Sequence, residues 1–168
     1  MKPLKVVLIG PMGAGKTTLG TLLSKELNWP YFDNDLELET INNLSPKELS
    51  NLSVPELHVL ESQFLATLMR RDAPFISSAA ASVVDYPVSV ELLREATAIY
   101  LRLPLEKLLK RAGSTGIGRQ ALHENAALIT TERFNRRDPV YRSVAKLTIE
   151  LSQRPTDDAA AIITYLKI

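Results

Sequence analysis

The feature that most constrains this chain is the glycine-rich run GPMGAGKTT at residues 10–18. An apolar run at residues 6–9, typical of a buried strand, precedes it, and the leucines between residues 19 and 27 fall on one face of a helix. A loop with the pattern G-x-x-x-x-G-K-[ST] between such a strand and such a helix is typical of a phosphate-binding site. A glycine-rich turn that binds nothing is the alternative, and the flanking segments favour the phosphate site.

Each position of this loop has a predicted role. Glycines let the backbone turn so that successive N–H groups point inward, and the helix that opens at Lys16 adds the positive end of its dipole. Lys16 supplies a full charge to the outer phosphates, where we expect it to act in catalysis, and Thr17 offers a hydroxyl to Mg²⁺. The predicted nucleotide-binding residues of the loop are Gly10, Met12, Gly13, Ala14, Gly15, Lys16, Thr17 and Thr18.

Composition narrows the class of protein. A chain of 168 residues is expected to form a single domain with a substantial core. The net charge of +1 argues against nucleic acid as a partner, and the absence of cysteine excludes disulfides and a cysteine-based metal site. No apolar run approaches the roughly 18 residues of a membrane span, and no signal peptide precedes the first strand. We therefore expect a cytoplasmic protein, and a monomer because no long apolar surface stripe is evident.

Strand and helix patterns alternate along the chain, which predicts a parallel sheet covered on both faces. The sequence thus indicates a three-layer α/β/α domain with a five-stranded sheet and ligands at the carboxyl ends of the strands. Ser45 and Ser53 each precede a proline and a glutamate in a capping-box pattern. The predicted strands after the first are residues 31–32, 75–78, 98–103 and 146–151. The predicted helices after the first are residues 35–42, 53–71, 90–95, 104–111, 123–136 and 156–167.

Two aspartates close the second predicted strand. Their two-residue spacing lets Asp33 and Asp35 leave an extended strand end on the same side. One carboxylate near the phosphate loop can hold Mg²⁺ through water, and the other can accept a proton from a substrate hydroxyl. The alternative is a solvated acidic turn that caps the next helix.

A second group of glycines marks a predicted mobile lid at about residues 112–121. Arg119 ends this glycine-rich segment, and a cation on a closing lid can reach a transferring phosphoryl group. Such arginines contribute roughly 10³–10⁵ in rate in phosphoryl-transfer enzymes. A solvated loop arginine is the alternative.

Further arginines follow. Arg133, Arg136 and Arg137 crowd the next helix, where one of them could hold an anionic substrate by its planar fork while the others lie on the surface. Arg111 and the pair Arg154-Pro155 come after the fourth and fifth strands, at the edge where a nucleotide base would rest. Each of these positions alone is weak evidence.

Taken in order, these motifs resemble the shikimate kinase family of P-loop, nucleoside-monophosphate-kinase-like proteins. The resemblance extends over nearly the whole chain. Its motifs are GPMGAGKTTLG at residues 10–20, FDND at 32–35, Gly118-Arg119, and RDPVY at 137–141 followed by Ala145. Gln120 stands where the family usually has proline.

The resemblance implies a reaction and a role for each matched residue. Family members transfer the γ-phosphate of ATP to the 3-hydroxyl of shikimate. By this resemblance Asp33 serves Mg²⁺, Asp35 the acceptor hydroxyl, Arg119 the phosphates and Arg137 the shikimate carboxylate. The residues that it places beside adenine are Arg111 and Pro155.

The chain departs from the family in the acceptor region, about residues 33–61, and in the loop after the third strand. Ala79, Ala80 and Ala81 replace a glycine triplet, and a positive φ at any of them would cost roughly 1–2 kcal/mol. His58 replaces the arginine that holds the carboxylate, whereas Glu61 is retained. Losing that charge-assisted contact would weaken carboxylate binding roughly 10- to 150-fold. His58 is a pH-dependent carboxylate partner, a contact for another acceptor, or an ordinary helix residue.

Three functional hypotheses follow. The first is an ATP-dependent kinase of a small hydroxylated acid, with shikimate as substrate by resemblance. The second keeps the enzyme and changes the acceptor to another cyclitol or sugar acid. The third is a nucleotide-binding protein that has lost kinase activity. A nucleoside-monophosphate kinase is disfavoured because no second phosphate-binding motif is evident.

Overall fold

The structure is a computed structural model that describes residues 4–111 and 125–167. The predicted lid at residues 112–121, including Arg119, lies outside the described residues, as does the start of the helix that was predicted at residue 123. In the described part, five strands are separated by one or more of eight α-helices, and one short 3₁₀ helix lies at Ala81–Asp85. The strands are β1 (Lys5–Ile9), β2 (Tyr31–Asp33), β3 (Phe75–Ser78), β4 (Thr97–Arg102) and β5 (Leu147–Glu150). The helices are α1 (Lys16–Leu27), α2 (Asn34–Asn42), α3 (Pro46–Asn51), α4 (Val54–Leu68), α5 (Pro87–Glu95), α6 (Leu105–Arg111), α7 (Ala126–Val144) and α8 (Pro155–Leu166).

The five strands form one parallel sheet in the order β2-β3-β1-β4-β5, which confirms the predicted fold class. Side chains of the central strand β1 alternate between two cores, as the two-residue period of a strand requires. Val7 and Ile9 join the core that includes side chains of α4 and α7, while Val6 and Leu8 join the core that includes α1 and α8. Both faces of the sheet are therefore covered by helices.

Local sequence signals set several helix starts. Ser45 accepts a hydrogen bond from the Glu48 amide, and the Glu48 carboxylate accepts one from the Ser45 amide at 2.8 Å. Ser53 and Glu56 repeat this reciprocal arrangement at the start of α4. Both predicted capping boxes are confirmed, and each satisfies backbone donors that a helix start leaves without partners.

Other helix boundaries differ from the prediction. Helix α7 was predicted to end near Arg136, but it continues through Pro139 to Val144. Tyr141 and Val144 are buried in the core, and their burial outweighs the cost of a proline inside a helix, about 3 kcal/mol. The smaller differences are that α4 ends at Leu68, α5 begins at Pro87, and the cap of α8 is Arg154. The 3₁₀ helix after β3 was not predicted.

Close packing between α1 and β2 depends on Gly20. A Cβ at this position would overlap the ring of Tyr31, whose hydroxyl is fixed by hydrogen bonds to Asp33 and Ser78. Gly20→Ala is therefore expected to destabilise the fold by about 1–3 kcal/mol, which corresponds to a melting temperature lower by about 2–12 °C. Thermal unfolding measures this, with Thr21→Ala on the exposed side of the same helix as the control. Equal melting temperatures for both variants would contradict the packing argument.

Candidate active site

A cavity of about 420 Å³ lies at the carboxyl ends of β1, β2 and β3. This is the edge where a parallel sheet of this kind binds ligands. The structure brings most of the predicted site residues to its wall. These are Met12, Gly13, Gly15, Lys16, Thr17, Asp33, Asp35, His58, Ala79, Ala80, Ala81 and Arg137.

The glycine-rich loop adopts backbone angles that favour glycine. Gly10, Gly13 and Gly15 have φ values of 145°, 82° and 85°, in the left-handed half of backbone space. A Cβ at Gly10 would also lie 2.7 Å from the Leu101 carbonyl oxygen, so the loop packs closely against β4. Gly15 caps α1, which begins at Lys16 and directs its positive end into the cavity wall.

Lys16 lies over this loop. Its ammonium group donates to the carbonyl oxygens of Gly10 at 2.9 Å and Pro11 at 3.0 Å. The remaining predicted loop residues differ in exposure, since Ala14 is buried in the core and Thr18 is exposed. A positive charge and a helix start thus face the same space, which suits the phosphates of a nucleotide.

Asp33 is the most highly connected side chain of the site. Its Oδ2 accepts hydrogen bonds from Thr17 and Tyr31 at 2.8 Å each and from Ser78 at 3.1 Å. Its Oδ1 caps α2 by accepting from the amide of Asp35 at 3.0 Å and that of Leu36 at 3.5 Å. Burial alone would raise the pKa of Asp33, but these hydrogen bonds outweigh it and hold the pKa below its ordinary value. Asp33 is therefore a carboxylate at neutral pH.

The oxygen atoms of Thr17 and Asp33 fit a hard divalent cation. Thr17 Oγ1 and Asp33 Oδ2 are 2.8 Å apart at the cavity, and both are the kind of oxygen ligand that Mg²⁺ prefers. Among the described residues, no group of three or more histidine, cysteine, aspartate or glutamate side chains is arranged to hold a metal ion. A magnesium ion here would complete its shell with water and phosphate oxygens, as is usual for this ion.

Asp35 reaches the cavity by a different route from the one predicted. It does not leave an extended strand, because Asp33 ends β2 and Asp35 lies in the first turn of α2. Asp33 turns back to cap this helix, as the alternative prediction had it, but its side chain is buried and not solvated. Asp35 is exposed on the cavity wall, and its Oδ1 accepts a hydrogen bond from Asn34 at 3.1 Å.

The three alanines after β3 form part of the cavity wall without backbone strain. Ala80 has a φ of −59°, and Ala81 begins the 3₁₀ helix. In the part of the chain that the structure describes, the non-glycine residues with positive φ are Asn28, Asn43, Asn125 and Lys167. The conditional cost of about 1–2 kcal/mol for positive φ at residues 79–81 therefore does not arise.

His58 contacts Tyr86, which the sequence analysis did not single out. His58 Nδ1 and the Tyr86 hydroxyl form a short hydrogen bond, and the two rings lie edge to face. Burial, followed by the positive charge of Arg137, lowers the pKa of His58 below its ordinary value. The imidazole is thus neutral at pH 7 and supplies less charge than an arginine would.

Arg137 is held by Asp85, another residue that the sequence analysis missed. The Arg137 Nε lies 3.0 and 3.1 Å from the two Asp85 oxygens, and its Nη2 lies 2.5 Å from Oδ2. Arg136 adds a longer contact to the same carboxylate at 3.3 Å. Burial would lower the pKa of Arg137, but the Asp85 carboxylate raises it, so both partners stay charged. No local pattern signals this pair, because its members are 52 residues apart.

Glu61 lies in the same cavity, and its carboxyl group is a weaker acid than that of an ordinary glutamate. Ser82 donates a hydrogen bond to its Oε2 at 2.5 Å, but burial dominates and raises the pKa of Glu61 to about 7. Its ordinary pKa is 4.5. Glu61 is therefore about half protonated near neutral pH.

The raised pKa of Glu61 predicts a pH-dependent stability. Between pH 4.5 and 7 the folded chain binds more protons than the unfolded chain, so its stability falls as the pH rises through this range. Glu61→Gln should abolish this contribution, which amounts to at most about 3 kcal/mol. The difference in melting temperature, variant minus parent, should therefore increase as the pH is raised from 5 to 8 in thermal unfolding. A difference that does not change with pH would contradict the assigned pKa.

Of the predicted positions that the structure describes, five do not line this cavity: Gly10, Ala14, Thr18, Arg154 and Pro155. Arg154 is exposed and pairs with Asp157 at 2.8 Å, next to Pro155 at the start of α8. Arg111 ends α6, and its side chain is outside the described part of the structure, as is the whole of Arg119. Their predicted roles beside the base and phosphates stay predictions.

A parallel five-stranded sheet with a glycine-rich phosphate loop after its central strand defines a P-loop protein of the nucleoside-monophosphate-kinase type. This chain belongs to the shikimate kinase family, whose family model matches residues 12–167. Membership assigns it to the ATP-dependent small-molecule kinases, and to a family of aromatic amino acid biosynthesis. No helix among the described residues is both long and apolar enough to cross a membrane.

Individual relatives agree with this assignment. The chain is 30% identical to a shikimate kinase of Hahella chejuensis over 172 residues, covering 96% of this chain and 85% of the relative. It is 30% identical to a shikimate kinase of Pseudomonas syringae pv. tomato over 159 residues, with 89% and 88% covered. The solved shikimate kinase of Acinetobacter baumannii in complex with shikimate superposes with a TM-score of 0.89 at 28% identity, covering 99% of this chain and 94% of that one.

Proposed function

We propose that this protein transfers the γ-phosphoryl group of ATP to a hydroxyl of a small hydroxylated acid, with the 3-hydroxyl of shikimate as the first candidate. One observation carries the proposal: the loop lysine, the Thr17–Asp33 pair and Asp35 all line a single cavity. Phosphoryl transfer requires bound phosphates, neutralised charge and an aligned nucleophile, and these three features match the three requirements. The complex of the Acinetobacter baumannii relative with shikimate supports this choice of acceptor.

The nucleotide half of the proposed reaction relies on the glycine-rich loop. Inward N–H groups and the start of α1 bind the phosphates, and the Lys16 ammonium shifts from the loop carbonyls to the outer phosphate oxygens. Thr17 and Asp33 would hold Mg²⁺, which would neutralise charge on the phosphates. We propose that Arg119 adds a further positive charge from the lid, and that Arg111, Arg154 and Pro155 flank the adenine.

The acceptor half relies on Asp35. Its carboxylate is exposed to the cavity, unlike that of Asp33, which is enclosed by five hydrogen bonds. Asp35 therefore accepts the hydroxyl proton of the acceptor as the oxygen attacks the γ-phosphorus, and the bond from the γ-phosphorus to the bridging oxygen breaks to release ADP. Other residues of the wall, among them His58, residues 79–81 and Arg137, surround the body of the acid.

A second candidate acceptor is a cyclitol or sugar acid other than shikimate. The neutral His58 and the Arg137 fork already paired with Asp85 favour it, because both reduce the positive charge offered at the position that holds the shikimate carboxylate by resemblance. The two candidates share the nucleotide half and differ only in the acceptor.

ADP release, coupled to a dehydrogenase, tests the proposal with shikimate, quinate, gluconate and related polyols. We expect turnover of shikimate or of another acid in the panel, at a rate well above the ATP hydrolysis seen without acceptor. Turnover of another acid with little of shikimate would favour the second candidate. ATP binding in calorimetry without turnover of any acceptor would refute the kinase proposal and leave a nucleotide-binding protein.

A further inference from the structure

Three arginines on α7 face the acceptor side of the cavity. Arg133, Arg136 and Arg137 follow the three- and four-residue spacing that sets side chains on one face of a helix, and all three line the cavity. Their surroundings differ. Arg136 and Arg137 both contact the Asp85 carboxylate, whereas Arg133 makes no hydrogen bond or ion pair with any described residue.

The Arg137 fork is already occupied. Its Nε and Nη2 donate to both oxygens of Asp85, which is the side-on geometry that a bound carboxylate would use. A substrate carboxylate at this place would lose those donors and would lie beside the negative charge of Asp85. Arg137 and Asp85 thus form an internal ion pair with little net charge to offer.

Arg133 is in the opposite situation. Its side chain is half-buried. Among the described residues, the charged groups that act on it are Arg137 and Arg136, which repel it, and Asp85, which attracts it less. Burial, with those two positive neighbours, lowers the pKa of Arg133 below its ordinary value. A half-buried cation that pairs directly with no carboxylate of the described residues is unfavourable, so this position favours a bound negative group.

We propose that Arg133 binds the carboxylate of the acceptor acid, in place of the fork of Arg137 that Asp85 occupies. The inference rests on the proposed function and deepens it. Arg133 lies one helical turn, about 6 Å along the axis, from Arg137 toward the amino-terminal end of α7. The acceptor class is therefore a small hydroxylated acid whose carboxylate lies against that turn while a hydroxyl reaches Asp35. His58 is uncharged at neutral pH and therefore does not supply the positive charge that would bind this carboxylate.

The proposal is tested by changing the Arg133 side chain and the carboxylate of the ligand separately and together. Calorimetry measures the binding of shikimate, quinate and gluconate, and of their methyl esters, to the full chain with Mg²⁺ and a non-hydrolysable ATP analogue. The parent protein should prefer an acid to its ester roughly 10- to 150-fold, the range for a charge-assisted contact. In Arg133→Gln this preference should fall below about threefold. Arg133→Lys should retain more of it than Arg133→Gln, because its charge remains.

The control is Arg142→Gln, on the same helix but paired with Asp138 outside the cavity. It should keep the parent preference, and nucleotide affinity should be unchanged in all variants. A parent-like preference in Arg133→Gln, or equal preferences in the two Arg133 variants, would overturn the inference and leave the proposed function intact. A parent protein that binds none of the acids would overturn both.

Discussion

Asp35→Asn is expected to lower kcat by about 10²–10⁴-fold, the contribution typical of a general base in the transition state. Asparagine has the same shape, but its amide oxygen cannot take up the proton of the acceptor hydroxyl. Asp35 is exposed to the cavity and has no part in the hydrogen bonds that enclose Asp33 except through its backbone amide. The variant should therefore fold normally and bind the ATP analogue with unchanged affinity. Steady-state kinetics with the acid that is turned over measures the effect.

Glu37→Gln is the matched control for Asp35→Asn. Glu37 lies in the same turn of α2 and pairs with Arg71 at 3.4 Å, away from the cavity wall. Its kcat should stay within about threefold of the parent value. A kcat for Asp35→Asn that is equally close to the parent value would show that another group accepts the proton, and the role given to Asp35 would be wrong.

Asp33→Asn is expected to lower the stability of the whole domain as well as its activity. The Asp33 carboxylate accepts hydrogen bonds from three hydroxyls and two amides, and an asparagine would turn an NH₂ group toward some of these donors. Hydrogen bonds to a charged acceptor are worth about 1.5–3 kcal/mol each, and the hydroxyls can partly reorient. We expect a loss of about 2–4 kcal/mol, or roughly 4–16 °C in melting temperature.

The stability difference between Asp33→Asn and the parent protein should depend on pH. Because folding lowers the pKa of Asp33, its stabilisation is present above the ordinary value of 3.8 and is lost as the pH falls through the folded value. The gap in melting temperature between Asp33→Asn and the parent should therefore narrow in acid. Asp157→Asn, on the exposed first turn of α8, serves as control and should change the melting temperature by less than about 2 °C. A similarly small change in Asp33→Asn would contradict the network described here.

Much of the fold follows from short-range patterns in the sequence. The alternation of strands and helices gave the parallel sheet, and the serine–glutamate pairs at Ser45 and Ser53 gave two helix starts. The phosphate loop was predictable because its strand, glycines and helix are contiguous. Helix ends were less so, since the burial of Tyr141 and Val144 extends α7 past a proline that is locally unfavourable.

The electrostatics of the acceptor side could not be predicted in this way. The pairs His58–Tyr86 and Arg137–Asp85 join residues that are 28 and 52 positions apart, and the 3₁₀ helix that brings Asp85 to the cavity has no clear sequence signature. The cause is physical, because the charge that an arginine offers to a ligand depends on its partners in space. The sequence predicted that an arginine of this helix could bind an anionic substrate, but not which of the arginines already pairs with a carboxylate of the protein.

The fate of the γ-phosphoryl group tests the central claim most directly. ATP labelled at the γ-phosphate is incubated with the protein, Mg²⁺ and each of shikimate, quinate and gluconate, and the products are separated. We expect the label to appear in a phosphate ester of one of these acids, with one ester for each ADP formed. Label that appears only as inorganic phosphate, or no loss of ATP with any of the acids, would contradict it.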